Sequence, residues 1–517
     1  MLITMNRRKF IKYSSATAAF SAGFNLGKIP VWAKTLDLDH PDDNVLVIIQ
    51  MFGGNDALNT VIPADNDLYY SKFRKTLNIP KSKALKLSNT NSYLNPALKN
   101  GKNDGMFGLF KNGNLAVIQG VGYPNPNLSH FRSTDIWLSG ITPANDSERL
   151  ESGWLGRYFD KVNEVSEHPD CMNIGSSSSL LFSTGTADVG ISVENPNDFY
   201  ERGKDLLSGE GFLTGSGAYV DERNFLLDLS IQSNKYSKVV KNAFDSGKNT
   251  TEYAKGKLSD ELKLVSRLIS GGLKTKVYLL SIDGFDTHAG QGTTDGKHAG
   301  LLSEISNAVS YFMADLKTQN LSKNVLGMTV SEFGRRPNQN DSNGTDHGAA
   351  GVMFMFGEDV NGKVYGKALD FNNLDKNKDF VYQYDYRSVY DEVLSKWLGS
   401  DGNTTNQILG KRFESIEGGI LVKRSSILLS NEKPIQSLIY PNPTVDGRIL
   451  LKTHLEPRET LTVNQVDSLG RKYAVFQNIQ MGSGQTEIPV QLIGKPGTHI
   501  LEVLKADKKE TVRVIWL

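Results

Sequence analysis

An α/β fold on a mostly parallel sheet, followed by a small all-β module, is the architecture this sequence predicts. Three observations carry it. Two continuous β-rich apolar runs, Asn44–Phe52 and Val277–Ile282, read as strands buried on both faces, and each stops at a glycine turn. A segment of helical period at Leu301–Leu316 leads into another apolar run at Val325–Val330, the strand–helix–strand unit of a parallel sheet. Beyond about residue 437, short alternating runs recur between Gly and Pro, as in a β-sandwich.

Composition sets the frame. A chain of 517 residues is long enough for two or three domains with a large core. A net charge of +1 removes the electrostatic case for nucleic acid or a membrane surface as partner. Cys171 is the single cysteine, so no intrachain disulfide forms, and a small buried apolar role suits it.

The chain opens with an address. Asn6–Lys12 reads NRRKFIK, an apolar run continues to Ala22, and Val31-Trp32-Ala33 offers a small-residue cleavage site. Residues 1–33 therefore resemble a twin-arginine export signal, which implies an exported protein. No later stretch reaches about 18 uninterrupted apolar residues, so no transmembrane segment is expected after signal removal.

The first strand, Asn44–Phe52, ends in Gly53-Gly54-Asn55-Asp56, which leaves Asp56 at the sheet edge as a ligand or as a turn residue. A second strand is expected at Asn114–Gln119. Ser129 then opens a segment of helical spacing, with Arg132 one turn on. A Ser there is either an N-cap or a hydroxyl aimed at an anion held by the helix terminus. Trp154–Val162 and Leu258–Ile269 have helical period, and Ser176–Ser179 reads as a serine loop.

The most informative stretch is Lys276–His288, KVYLLSIDGFDTH. Its strand breaks at Gly284 and delivers Asp283, Asp286 and His288 within six residues. Ligand sites of open α/β sheets form at such carboxyl ends. Two carboxylates with an imidazole suit a divalent cation, the alternative being an Asp-rich turn with a capping His. The strand Val325–Val330 ends in Ser331-Glu332-Phe333-Gly334-Arg335. A polar loop then leads to Gly344-Thr345-Asp346-His347-Gly348, ahead of a strand at Val352–Phe356. Strand ends thus present Asp56, Asp283 to His288 and Glu332, with His347 on a loop beside them.

The motifs GGND (53–56), SHF (129–131), GFDTH (284–288), SEFGR (331–335) and GTDHG (344–348) resemble the exported family catalogued as domain of unknown function 1501. The resemblance covers roughly residues 44–400, with five motifs in order. It implies membership of the alkaline phosphatase and sulfatase-like superfamily, a parallel sheet between helices with a metal site at its carboxyl edge. By that pattern Asp56 holds metal, Ser129 is the nucleophile, Asp283 or Asp286 pairs with His288, and His347 returns to the first site. The superfamily's Asp-His pair stands here as Glu332-Phe333, so one tight site is expected and a second is doubtful.

A polar linker at about 426–436 separates the domain at 44–425 from residues 437–517. The YPNPT opening at 440–444 and the GTHILEV run at 497–503 resemble a type A sorting domain of the type IX secretion system. That implies delivery to the outer surface or medium by the export and type IX machinery. Together these resemblances imply a zinc- or manganese-dependent hydrolase of anionic esters, such as sulfated or phosphorylated glycans. Ser129 would attack while Arg132 or Asn55 holds the anion. The alternative is a surface protein that binds glycan or a partner without turnover.

Overall fold

The computed structural model describes residues 44–517 except 146, 163–167, 205–232, 423–436, 441, 443, 456–459, 468–470, 481–483, 506–507 and 517. The export-signal segment 1–33 and the linker 426–436 lie outside the described residues. The chain divides into two compact units, one ending at Lys423 and one running Arg424–Leu517.

The larger unit is organised by strand β1 (Val45–Phe52). Val45, Val47, Ile49 and Met51 enter one core, and Leu46 and Ile48 enter the other, so the strand has no wet face. Each such side chain contributes roughly 1.5–3 kcal/mol on burial, which makes β1 the natural centre of the sheet. The other strands of the central sheet and its neighbouring ribbon are β2 (Leu115–Gly122), β3 (Cys171–Asn173), β4 (Gly190–Ser192), β5 (Val277–Asp283), β6 (Val325–Val330), β7 (Gly334–Gln339), β8 (Thr345–Gly348), β9 (Gly351–Phe356), β10 (Val364–Tyr365) and β11 (Tyr384–Asp385), with a small separate sheet of Val61–Ile62, Leu85–Lys86 and Tyr93–Leu94. The central sheet runs β10-β2-β9-β6-β1-β5-β3-β4, with β11 also on β2. Its pairs are parallel except where β9 meets β2 and β6.

Helices cover both faces. On one side lie α1 (His130–Ser139) and α2 (Trp154–Val162), which enter the core with Trp137, Trp154 and Tyr158. On the other lie α3 (Lys257–Ser270) and α4 (Lys297–Thr318). The α4 stripe Leu302, Ile305, Val309, Phe312 and Leu316 repeats every three to four residues and faces the sheet. Helix α5 (Tyr386–Glu392) joins the first side through Tyr386 and Tyr390. The fold is a mostly parallel sheet between two helix layers.

One segment differs from its expected form. The stretch after Gly334 is an antiparallel ribbon, β7 on β8, rather than a loop, and His347 sits on its second strand opposite Arg335. Its residues, GRRPNQ and TDHG, carry no apolar alternation. The ribbon is held by backbone pairing and buried polar contacts, which leave no hydropathy signal.

The smaller unit comprises β12 (Leu438–Tyr440), β13 (Arg448–Leu455), β14 (Thr460–Val466), β15 (Lys472–Gln480), β16 (Gly484–Gln491), β17 (Gly497–Lys505) and β18 (Lys508–Trp516). They form two antiparallel sheets, β12-β13-β16 and β15-β14-β17-β18. Leu451 and Val490 of the first share a core with Val463, Val503 and Val514 of the second.

Candidate metal centre

Strands β6, β1 and β5 lie side by side, with Phe52 level with Asp283 and Gln50 level with Val330. Their carboxyl ends therefore release three loops at one edge: 53–56, 284–288 and 331–333. These loops pack too closely for side chains at two positions. Gly53 has φ +119°, and a Cβ there would lie 2.3 Å from the Asp286 backbone nitrogen. Gly54 has φ +79°, and its Cβ would lie 2.4 Å from the Phe333 ring. Helix α1 adds His130 from one side, and the β7–β8 ribbon adds His347 from the other.

Donor atoms of His130, Asp286 and His347 all lie within 4.8 Å of one another. His130 Nε2 is 3.6 Å from Asp286 Oδ2, and His347 Nε2 is 3.4 Å from Oδ1. His288 adjoins them, its Nε2 3.2 Å from Asp286 Oδ1 and 3.0 Å from His347 Nε2. The second nitrogen of each ring decides what these atoms are. His347 Nδ1 lies 2.8 Å from the Leu128 carbonyl, which can only accept, so Nδ1 carries the proton. His288 Nδ1 lies 3.0 Å from Asp346 Oδ1, and His130 Nδ1 lies 2.8 Å from Glu332 Oε1. Carboxylates also accept, so with the proton on Nδ1 it is the Nε2 lone pair of each ring that faces the cluster. Two such lone pairs facing at 3.0 Å repel unless a proton or a cation lies between them.

This donor set fits a divalent cation. Spacings of 3.0–3.6 Å are those of atoms sharing a metal at about 2.0–2.2 Å. The carboxylate or carbonyl behind each ring is the outer support that metal-binding histidines use. Phe333 packs on His130 and His347 with centroids 5.0 and 4.4 Å away, and Phe52 lies 5.6 Å from His130, so apolar walls fix the rings. Burial draws the His347 imidazole below its usual pKa. Burial alone would raise Asp286, but the hydrogen bond and charge of Arg335 hold it below the usual carboxylate range. Asp286 and His288 side chains remain 45% exposed, which leaves one side of the cluster open to solvent.

Other residues singled out in the sequence go elsewhere. Asp56 is wholly buried and bidentate on Arg74 at 2.5 and 2.9 Å, with a third bond from Gln291 at 2.6 Å. Its oxygens are committed to a buried ion pair, which leaves neither facing a metal. Burial would raise its pKa, yet Arg74 keeps it low. Glu332 lies behind His130, accepting from that ring and from the Gly53 amide, and is a support rather than a ligand. Asp283 ends β5 as an exposed residue outside the cluster.

The two proposed anion holders are occupied or enclosed elsewhere. The Arg132 guanidinium donates to the Asn145 and Glu148 carbonyls. Asn55 is buried, with its Oδ1 facing Thr60 Oγ1 and His298 Nε2. Ser129 sits at the N-cap of α1, exposed, and its hydroxyl makes no capping bond. The residue that sequence reasoning missed is His130. It lies in the SHF motif, where a helix-opening Ser is the more conspicuous signal. Asp346 and Arg335 were likewise present in motifs without an assigned role.

The family model described as Protein of unknown function (DUF1501) matches residues 117–385, more than half of the chain. The chain belongs to this family. The match takes in His130, the Asp286 and His288 loop, Arg335 and His347, so the whole donor cluster lies inside the DUF1501 region. Comparison with the curated proteins returns no match. Among solved structures, a protein of the alkaline phosphatase superfamily from Vibrio parahaemolyticus is 10% identical, covering 92% of each chain with a TM-score of 0.34. The PsFucS1 sulfatase from Pseudoalteromonas is 12% identical, covering 97% of this chain and 88% of its own, at 0.33. The fold of the DUF1501 chain stands on its own sheet order and two helix layers.

Proposed function

We propose that this protein is a metal-dependent hydrolase of phosphate or sulfate esters, with sulfated or phosphorylated glycans as a substrate class. One observation carries the reading: His288 Nε2 and His347 Nε2 face each other at 3.0 Å, beside Asp286 and His130. His130, Asp286 and His347 would hold the cation, with His288 adjoining. Imidazole-rich donors favour zinc or manganese over magnesium. Such a cation supplies neutralisation of charge on an ester oxygen.

The chain's own residues account for the rest. Ser129 precedes His130 and has a free hydroxyl, which suits a nucleophile. The first-turn amides of α1 and its dipole offer an anion subsite in place of the Arg132 and Asn55 side chains. Glu332, Asp346 and the Leu128 carbonyl keep the rings in one tautomer. We extend the proposal to location: residues 1–33 direct export, and residues 437–517 direct delivery to the cell surface or medium.

Metal analysis of purified protein, paired with aryl phosphate and aryl sulfate assays, tests this reading. Wild type should carry about one zinc or manganese per chain and turn over at least one ester. Ser129→Ala should abolish turnover with metal content unchanged. Bound metal without turnover of any ester would favour a surface-binding protein, and protein that takes up no metal would defeat the proposal.

A further inference from the structure

We infer that Arg335 is the positioning residue of this centre, orienting Asp286 toward the cation and tying that loop to the strand that carries His347. The inference rests on the metal reading above and adds a residue with a role of its own. The Arg335 side chain is fully buried. Its Nε donates to the Gly54 carbonyl at 2.8 Å and its Nη1 to the Thr345 carbonyl at 2.6 Å. Its Nη2 reaches the Gly53 carbonyl, the Phe285 carbonyl at 3.1 Å and Asp286 Oδ1 at 2.7 Å.

One guanidinium thus joins three segments that meet at the cluster: the loop after β1, the loop after β5, and β8. Thr345 is two residues before His347, and Phe285 adjoins Asp286. A buried guanidinium needs a counter-charge, and among the described residues its ion-pair partner is Asp286. Asp286 is 45% exposed, and its other close neighbours are the Nε2 atoms of His130, His288 and His347 at 3.2–3.6 Å. Without the Nη2 bond the carboxylate would swing into water. With it, Oδ2 faces His130 Nε2 at 3.6 Å while Oδ1 stays beside His288 and His347. The same bond occupies part of Oδ1, which disfavours the two-oxygen chelation that calcium commonly takes and suits zinc. Lysine keeps the charge but lacks the planar fork that reaches several acceptors at once.

The test uses zinc affinity, by chelator competition, and the visible spectrum of the cobalt-loaded protein. Arg335→Lys should raise the zinc Kd by about 10–100-fold, the usual range for losing an outer support, and alter the cobalt spectrum at saturation. In an Asp286→Asn background the same change should have little further effect, because Arg335 acts through that carboxylate. A purely structural role would add in full. Asp286→Glu, at an exposed position, carries the test if the lysine variant does not fold. It keeps the charge but moves the carboxylate off the guanidinium, and should weaken zinc as much as Asp286→Asn. Wild-type protein that binds no zinc overturns the metal reading and this inference with it. Wild-type binding, with Arg335→Lys equally tight and spectrally unchanged, overturns the inference alone; Asp286→Glu equally tight and spectrally unchanged overturns it together with Asp286 as a ligand.

Discussion

Asp56 and Asp286 both follow strands of the central sheet, and each meets a buried guanidinium. Asp56 is enclosed with Arg74 and has no oxygen left for a ligand, whereas Asp286 keeps an open side next to three imidazoles. Arg74→Met should therefore cost about 3–5 kcal/mol by stranding a buried carboxylate. Zinc affinity of the folded fraction should stay within about threefold; urea melts and chelator competition read the two effects separately. Loss of zinc at unchanged stability would return Asp56 to the ligand set. Glu261 makes the opposite electrostatic case. Burial lifts its carboxyl to about 7, with Lys257 opposing and Glu304 and Asp283 reinforcing. Because the folded pKa lies above the unfolded one, this group favours folding fully below about pH 4.5. That contribution is lost as pH rises through 7 and is constant above. Glu261→Gln should match wild type near pH 4.5 and be more stable by about 1–3 kcal/mol at pH 8.5. Equal melting temperatures at pH 8.5 would refute it.

The loops after β1 and β5 work as a fitted pair, and the fit depends on Gly53. Its φ of +119° and the 2.3 Å approach to the Asp286 nitrogen leave no room for a methyl group. Gly53→Ala should destabilise the protein by about 2 kcal/mol or more, from strain at a positive φ. Zinc affinity should fall with it, since the displaced segment carries Asp286. Retention of both wild-type stability and wild-type zinc affinity would show that the loops can part freely. The β7–β8 ribbon shows how legibility varies between elements. The strands β1, β5, β6 and β9 are apolar runs that announce themselves. The ribbon is polar, and Gly344 and Gly348 serve close approaches, to the His288 carbonyl and the Arg335 backbone, that leave no hydropathy pattern.

On the scale of the molecule, the two units have separate cores. The larger sheet is sealed by helices on both faces, and the smaller unit closes two antiparallel sheets on each other. A chain spanning 44–423 should fold alone, unfold cooperatively in urea and bind zinc as the full chain does. An insoluble product, or one that has lost metal, would show that the larger unit depends on the rest. Limited proteolysis of the full chain should cut first within 425–437, the polar stretch of sequence at the boundary between the two units.

Strand order along the chain, helix period, the carboxyl-edge loops and the all-β character of the end were determined by sequence, because periodicity and turn chemistry are local. Tertiary structure alone decided which donors share a point. Asp56, Glu332 and Asp286 are equally plausible carboxylates in a motif, and only the placement of Arg74, His130 and Arg335 separates ion pair, support and candidate ligand. His130 joins the cluster because α1 starts beside the edge of β6 and β1, with Glu332 behind the ring to turn Nε2 inward. Ligand identity depends on the direction of lone pairs, and those directions are set by partners up to 219 residues away, the span from Leu128 to His347.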